Sequence, residues 1–388
     1  MAAADAAGES HPSVQALEER AHAGLVRAFG AGGDVIVAAA PGRCTLVGEH
    51  VDYAGGAVLC AAIDLQVAVA MRPAEGVADR VAIDARITER VPGRLRPEGA
   101  GYVLAAAVAL RESGAYVPAF EAATAASLPA GAGLASSASV ICATLVAQLR
   151  LASSRLGMAK LVDIAYRAEH DVLGVPSGRL DQHAVVESPE DCALLLDCDA
   201  DDVTPVPWHL RDTVLCVCDT GERHRVAGDG YRRRRAETEA AMREAGIRSA
   251  RRFTGELPSG TDVSSRRLRH VVSETRRALD AAAALSAGDD VELGRLMSES
   301  HRSLRDDHEV STPLLDAVET AAEAVPGCYG ARLVGAGFGG SVVALVHRRA
   351  APACCGSMRA AAGASSATWV LSPAPGLAFT AGDVVTRD

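Results

Sequence analysis

Lysine is almost missing from this chain. Lys160 is the only one in 388 residues, and the other 38 basic side chains are arginine. That excludes a phosphate loop of the GxxxxGK[ST] type and the strand lysine of protein kinases. It also excludes a Schiff-base lysine anywhere but at Lys160. Positive charge is short overall, 39 basic against 49 acidic residues, for a net charge of −10. So acidic a protein is a poor binder of nucleic acid or anionic membranes. There is no uncharged apolar run of about 18 residues, so no membrane span is expected. The N-terminus, MAAADAAGESHPS, carries Asp5 and Glu9 where a secretory signal needs positive charge, and reads as a disordered leader. Among the ten cysteines there is no CxxC zinc knuckle. Cys216 and Cys218 alternate along the strand-like run VLCVC, and Cys354 and Cys355 are adjacent. Buried free thiols and a reducing, cytoplasmic setting are expected.

What is present is a soluble globular composition, 49 % apolar and 23 % charged, in a chain long enough for two domains. Strands are expected at 34–39 and in AVLCAAI, QVAVAM, 118–128, ALLLD and TVLCVCDT. An amphipathic helix is expected at 101–112. Others follow in VICATLVAQLRLA, from Lys160 to His170, and at about 267–286, 291–304 and 312–325. The run GYRRRRAETEAAMREAG reads as an exposed helix with paired charges. DADDVTPVPW, with Pro205 and Pro207, is the best candidate boundary. The division is then a leader and first helix at 1–30, an N-terminal domain at 31–205 and a C-terminal domain at 206–388. Small sheets covered by helices, without a βαβαβ rhythm, make the class α+β.

Four stretches carry chemistry. In PAGAGLASSAS, residues 129–139, glycines and small residues let successive N–H groups converge on one anion at a helix N-terminus. Ser136 and Ser137 could also reach a metal ion, although a glycine-rich turn with a serine cap has the same sequence. In GRCTLVGEHVDY, residues 42–53, Arg43, Glu49, His50 and Asp52 crowd a loop between apolar strands. Glu, His and Asp together suit the hydroxyls of a polyol; a solvated hairpin is the plainer alternative. In YRAEHDVLGVPSGRLDQ, residues 166–182, Glu169 ends a helix and Asp181 follows a flexible loop, where a carboxylate can be a general base or metal ligand. Finally, GAGFGGS at 335–341 fits GxGxxG, but a strand pattern follows it instead of a helix. The dinucleotide reading therefore fails, and a turn that lets backbone approach a neighbour is preferred.

Together these stretches suggest a nucleotide-dependent kinase, and the sequence resembles the galactokinase family of the GHMP small-molecule kinase superfamily. GRCTLVGEHVDY stands against a family GRxNLIGEHxDY, PAGAGLASSAS against PxGxGLSSSA, and GAGFGGS against GGGFGGC. SGRLDQ, LMSESHRSLRDDHEVSTPLLD and Tyr231 before an arginine run are also similar, and the likeness spans about 35–350. The resemblance implies a two-domain α+β fold with its site in the interdomain cleft, and phosphorylation of a sugar's C1 hydroxyl by ATP with Mg²⁺. It implies Asp181 as catalytic base and Arg43 beside it, steadying the phosphoryl group. Gly131, Ala132, Gly133, Leu134, Ala135, Ser136 and Ser137 would surround the ATP phosphates, with Ser137 and Glu169 on magnesium. Glu49, His50, Asp52, Gly178 and Tyr231 would hold the sugar. Thr45 stands where the family has Asn and Ser177 where it has Cys, while Ala336 and Ser341 are mild departures from Gly and Cys. Arg179, where the family has an apolar residue, places a fixed charge near the acceptor and is expected either to pair with a carboxylate or to touch a modified substrate. A kinase for a modified sugar or cyclitol and a non-catalytic sugar sensor are the alternatives. A monomer or weak dimer is expected, and nothing marks the adenine pocket.

Overall fold

The computed structural model describes residues 11–84, 86–90, 95–223, 227–377 and 384–386. Most of the expected leader, residues 1–10, lies outside them. Ser13 accepts a hydrogen bond from the Ala16 N–H (3.2 Å) and opens the helix Val14–Phe29. Leu17, Ala21 and Leu25 recur at the helical period and pack on Ala68, Ala70, Ala82 and Ala123.

The first sheet has seven strands built around Ala57–Pro73. Ile36–Val47, Phe120–Ala126 and Cys192–Asp197 pair with it antiparallel. AVLCAAI and QVAVAM, expected as two strands, are one. The intervening Asp64 and Leu65 form a bulge opposite Pro41 and Gly42, which bends the strand without ending it. Arg80–Ile83 and Arg86–Glu89 extend the sheet on one side, and Asp202–Pro207 forms the other edge. The proline-rich stretch expected as the domain boundary holds an edge strand, where a missing N–H is tolerated. Ala100–Glu112, expected to be amphipathic, has nine of its 13 residues buried. It is sandwiched in a core shared with Ser136–Leu151 and Met158–Arg167, and its alanines allow the close approach.

The second sheet runs Cys328–Val334, Gly339–His347, Thr213–Arg223, Ala367–Leu371, all antiparallel. Its strands alternate between two cores. Leu215 and Val217 face the first sheet and share a core with Leu46, Leu59 and Ile63. Helices Val263–Ala287 and Asp290–Asp306 contribute Ala278, Leu285, Leu296 and Met297 to that core. Val214, Cys216 and Cys218 face the opposite way, under Pro313–Glu323 and Ala351–Ala362. The two thiols share a face, as a period of two requires. All ten cysteines are free, with Cys192, Cys198 and Cys328 half-buried and the others buried. Among the described residues, no helix is long and apolar enough to cross a membrane.

Candidate active site

Two glycine loops meet where the sheets meet. In the first, Gly131 (φ 68°), Gly133 (φ 78°) and Ala135 (φ 63°) all adopt positive φ, which folds the backbone tightly. The helix Ser136–Leu151 follows without a side-chain cap, so its first N–H groups are left for an anion. The second loop, GAGFGGS, comes within backbone contact of the first. A Cβ on Gly133 would lie 2.5 Å from the Val334 carbonyl oxygen, and one on Gly335 would lie 2.7 Å from Gly133 Cα. The strand Gly339–His347 follows, so this is the close-approach turn and not a dinucleotide fingerprint.

Arg43 and Asp181 face each other beside the first loop. Arg43 Nε and Nη2 reach Asp181 Oδ1 at 2.8 and 2.6 Å, and Nη1 donates to the Gly133 carbonyl at 2.6 Å. Burial works against the Arg43 charge, but Asp181 and Glu49 more than offset it and hold the guanidinium protonated. Both contacts fall on Oδ1, which leaves Oδ2 of Asp181 for another partner.

Glu169 sits in a single π-helical turn, Ala168–Val172, at the end of Met158–Arg167. Such turns re-aim a side chain that a regular helix would point elsewhere. Ser137 Oγ donates to Glu169 Oε1 (2.6 Å) and Gln182 Nε2 to Oε2 (2.7 Å). Burial, and then the charge of Asp181, push its carboxyl up to about 7.

The third group comes from the turn after Ile36–Val47. Glu49 Oε1 accepts the Gly335 N–H at 2.6 Å. His50, at φ 62°, has Tyr53 Oη 3.0 Å from Nδ1 and the Ala336 carbonyl 3.0 Å from Nε2. Both ring nitrogens therefore have protein partners, which anchor the turn. Asp52 packs on Gly178, where a Cβ would collide with its carboxylate, and burial raises its pKa to about 6. Tyr231 lies with its ring centroid 5.4 Å from that of His50.

A cavity of about 670 Å³ joins these groups. Arg43, Glu49, His50, Asp52, Gly178, Asp181 and Tyr231 line it, together with Gly131 and Gly133 to Ser137. Glu169 stands behind Ser137, outside the lining. One expectation needs correction. Ala132 points the other way; its side chain is buried in the core between the sheets and its carbonyl accepts from Ser341 Oγ (2.8 Å). Of the two expectations for Arg179, the carboxylate pairing is the one found. Its guanidinium bonds Asp163 (3.2 Å) and Asp201 (3.4 Å) and lies 4.8 Å over the Tyr166 ring. It lines a separate cavity of about 270 Å³ that shares only Asp52 and Gly178 with the large one. Two carboxylates and a phenol ring capture the cation locally.

Several lining or supporting residues escaped the sequence reading. Arg223 is held by Asp219 (2.7 and 2.6 Å) and reaches the Ala130 carbonyl (3.2 Å), which puts a cation beside the phosphate loop. Tyr102 turns its ring to the cavity with its hydroxyl tied to the Pro97 carbonyl (2.7 Å). Neither has a local signal. Tyr53 did have one, since it closes the GRCTLVGEHVDY stretch.

An anion cradle at a helix N-terminus, a glycine turn pressed on it from a second sheet, and an Arg–Asp pair between them define a small-molecule kinase of the GHMP type. Residues 101–188 match the family model for the GHMP kinases N terminal domain and 281–363 that for GHMP kinases C terminal. The fold is also that of a mevalonate kinase from Methanococcus jannaschii (TM-score 0.68, 16 % identity over 89 % of this chain and 100 % of that one). Residues 26–73 match the galactokinase galactose-binding signature. The chain is 37 % identical over 361 residues to human galactokinase, covering 88 % of this chain and 91 % of that one. To a Roseiflexus galactokinase it is 39 % identical over 334 residues, 81 % and 84 % of the two chains. A Lactococcus lactis galactokinase solved with galactose superimposes with a TM-score of 0.86 at 29 % identity, covering 94 % of this chain and 98 % of that one. The chain belongs to the galactokinase family.

Proposed function

We propose that this protein transfers the γ-phosphoryl group of ATP to the anomeric hydroxyl of galactose. The observation that carries the reading is the Arg43–Asp181 pair, set in one cavity between the phosphate loop and the Glu49–Asp52 turn. On the division at 31–205 and 206–388, the first part supplies the phosphate loop and the base. The second supplies the glycine turn and Tyr231.

Asp181 Oδ2 takes the proton of the C1 hydroxyl as its oxygen bonds to the γ-phosphorus. The bond from that phosphorus to the bridging oxygen breaks, and ADP leaves. Arg43 fixes Asp181 through two contacts to Oδ1 and lies where negative charge develops, so most of the work is positioning and neutralisation. The N–H groups of Gly131 and of Gly133 to Ser137 cradle the phosphates, and the flat ring of Tyr102 suits the nucleotide base. Glu49 and Asp52 accept from sugar hydroxyls, and Tyr231 closes over them.

The residues present also fit magnesium. Glu169 is a buried carboxyl short of positive charge, and the Ser137 hydroxyl touches it. Hard oxygen donors of this kind suit Mg²⁺, and Ser137 and Glu169 would hold it. Bound there, the ion neutralises phosphate charge. The ten free thiols support a cytoplasmic location.

The test is sugar-dependent ADP release across galactose, glucose, galacturonate and phosphorylated cyclitols. Galactose should give the highest kcat/KM and yield the 1-phosphate. A cyclitol preferred over galactose, or ATP binding without turnover on any sugar, would overturn the reading.

A further inference from the structure

Arg332 is the least expected side chain in the molecule. It lies on the strand Cys328–Val334, and the alternation that sends Val334 into the core between the sheets sends Arg332 the same way. It is 0 % exposed, and Nε, Nη1 and Nη2 all lack a hydrogen-bond partner. A buried guanidinium without hydrogen bonds is expensive unless a counter-charge stands close. That counter-charge is Glu49, whose Oε1 is 3.7 Å from Arg332 Nη2.

We propose that Arg332 is a positioning residue of the acceptor site, which holds the Glu49 carboxylate in place and supplies the charge that keeps it ionised when the bound sugar seals it from water. This rests on the assignment of Glu49 to the sugar. The same strand end grips Glu49 twice, through Arg332 and through the Gly335 N–H, and leaves Oε2 for the cavity. Every charged group facing Glu49 is accounted for. Arg43, on its own strand, is committed to Asp181 and the Gly133 carbonyl. Asp181 and Asp52 are like charges. From the helix Val263–Ala287, His270 Nε2 bonds the Glu49 carbonyl, and Glu274 is paired with Arg277, with Arg332 a weaker influence on it. Arg332 is then the one cation among the described residues whose ion pair is with Glu49 alone. Burial drives the Glu49 carboxyl upward and Arg332 is the strongest influence against it.

The experiment compares wild type with R332M, R332K, E49Q and the double variant R332M/E49Q. It measures kcat and KM for galactose and for ATP from about pH 5.5 to 8.5, and urea midpoints. R332M should raise the galactose KM about tenfold or more at pH 7, the scale of a hydrogen bond to a charged group. It should leave the ATP KM within about twofold, and move the acid limb of galactose kcat/KM up by about one pH unit. R332K should restore the wild-type limb. R332M/E49Q should lack the displaced limb and unfold at a higher urea concentration than R332M, because the unpaired carboxylate is gone. A folded R332M with the wild-type limb overturns the proposal. If R332M does not fold, the double variant decides: more stable than R332M supports the proposal, no more stable overturns it. An E49Q enzyme with an unchanged galactose KM would overturn the assignment of Glu49 to the sugar instead, and the urea comparison would still report on the Arg332–Glu49 pair.

Discussion

Tyr53→Phe removes one oxygen from the middle of a buried hydrogen-bond chain. The donor directions along that chain are fixed from one end. The Ala336 carbonyl can only accept, so His50 Nε2 carries the hydrogen. Burial lowers the His50 pKa to about 4, so at pH 7 the ring is neutral and Nδ1 is an acceptor. Tyr53 therefore donates to His50, and its oxygen accepts from His308 Nε2 at 3.2 Å. His308 is wholly buried and its Nδ1 already lacks a partner. Without the tyrosine oxygen, His308 has no hydrogen bond left and His50 Nδ1 loses its donor. Each buried group left unsatisfied costs about 1–3 kcal/mol, and the phenyl ring's easier burial offsets a part, so the net loss is about 2–4 kcal/mol. Urea unfolding at pH 7.5 measures it. Tyr102→Phe is the control, because that hydroxyl bonds a single carbonyl at the surface, and its loss should stay below about 1 kcal/mol. The chain ends on the glycine turn that faces the phosphate loop, so the galactose KM should rise several-fold while kcat falls less. A Tyr53→Phe enzyme within about 0.5 kcal/mol of wild type refutes the assigned directions.

Asp181→Asn should lower kcat by about 10²–10⁴-fold while ATP binding, measured by calorimetry, stays near wild type; an undiminished kcat removes Asp181 from the role of base. Burial raises the Glu169 carboxyl to about 7, so if Glu169 holds magnesium its proton would compete with the ion below that pH. The Mg²⁺ concentration for half-maximal activity should therefore fall about tenfold between about pH 6 and 8 in wild type. Glu169→Gln should raise that concentration and flatten the trend, and an unaltered curve would make Glu169 a structural residue only. Arg179→Ile should change the ratio of kcat/KM for galactose over galacturonate by less than about twofold, because its guanidinium is engaged by Asp163, Asp201 and Tyr166. A selective loss on the anionic sugar would return Arg179 to the acceptor.

The legible parts of this site are those where a short stretch fixes its own geometry. Glycines at 131 and 133 before small residues and an apolar helix impose a loop that can adopt few other shapes, and it took the expected one. The GEHVDY turn is similar, since its polar residues stand between two strands whose pairing leaves them at one end of the sheet. Arg179 was misleading for the same reason that made it noticeable. Neighbouring Asp181 in sequence suggested a shared ligand, but the turn at Gly178 and the start of the helix Leu180–Glu187 send the two side chains to different cavities.

What the sequence hid was the support behind the visible residues. His50 meets Ala336 and Glu49 meets Gly335 across 286 positions, and Tyr53 meets His308 across 255. No local period carries such a pairing. Arg332 is the sharpest case. In ARLVGAG it reads as the one polar residue of an apolar strand, which a sheet with a solvated face would turn outward. Here both faces of the sheet are covered, one by the first sheet with two helices and the other by Pro313–Glu323 and Ala351–Ala362. An arginine in that strand has no outward direction, so its charge had to be met inside, by a carboxylate from a loop on the other sheet. That requirement couples the acceptor turn to the second sheet through charge as well as through packing. A substitution at Arg332 should therefore be felt first at Glu49 and the sugar, and only afterwards in the fold.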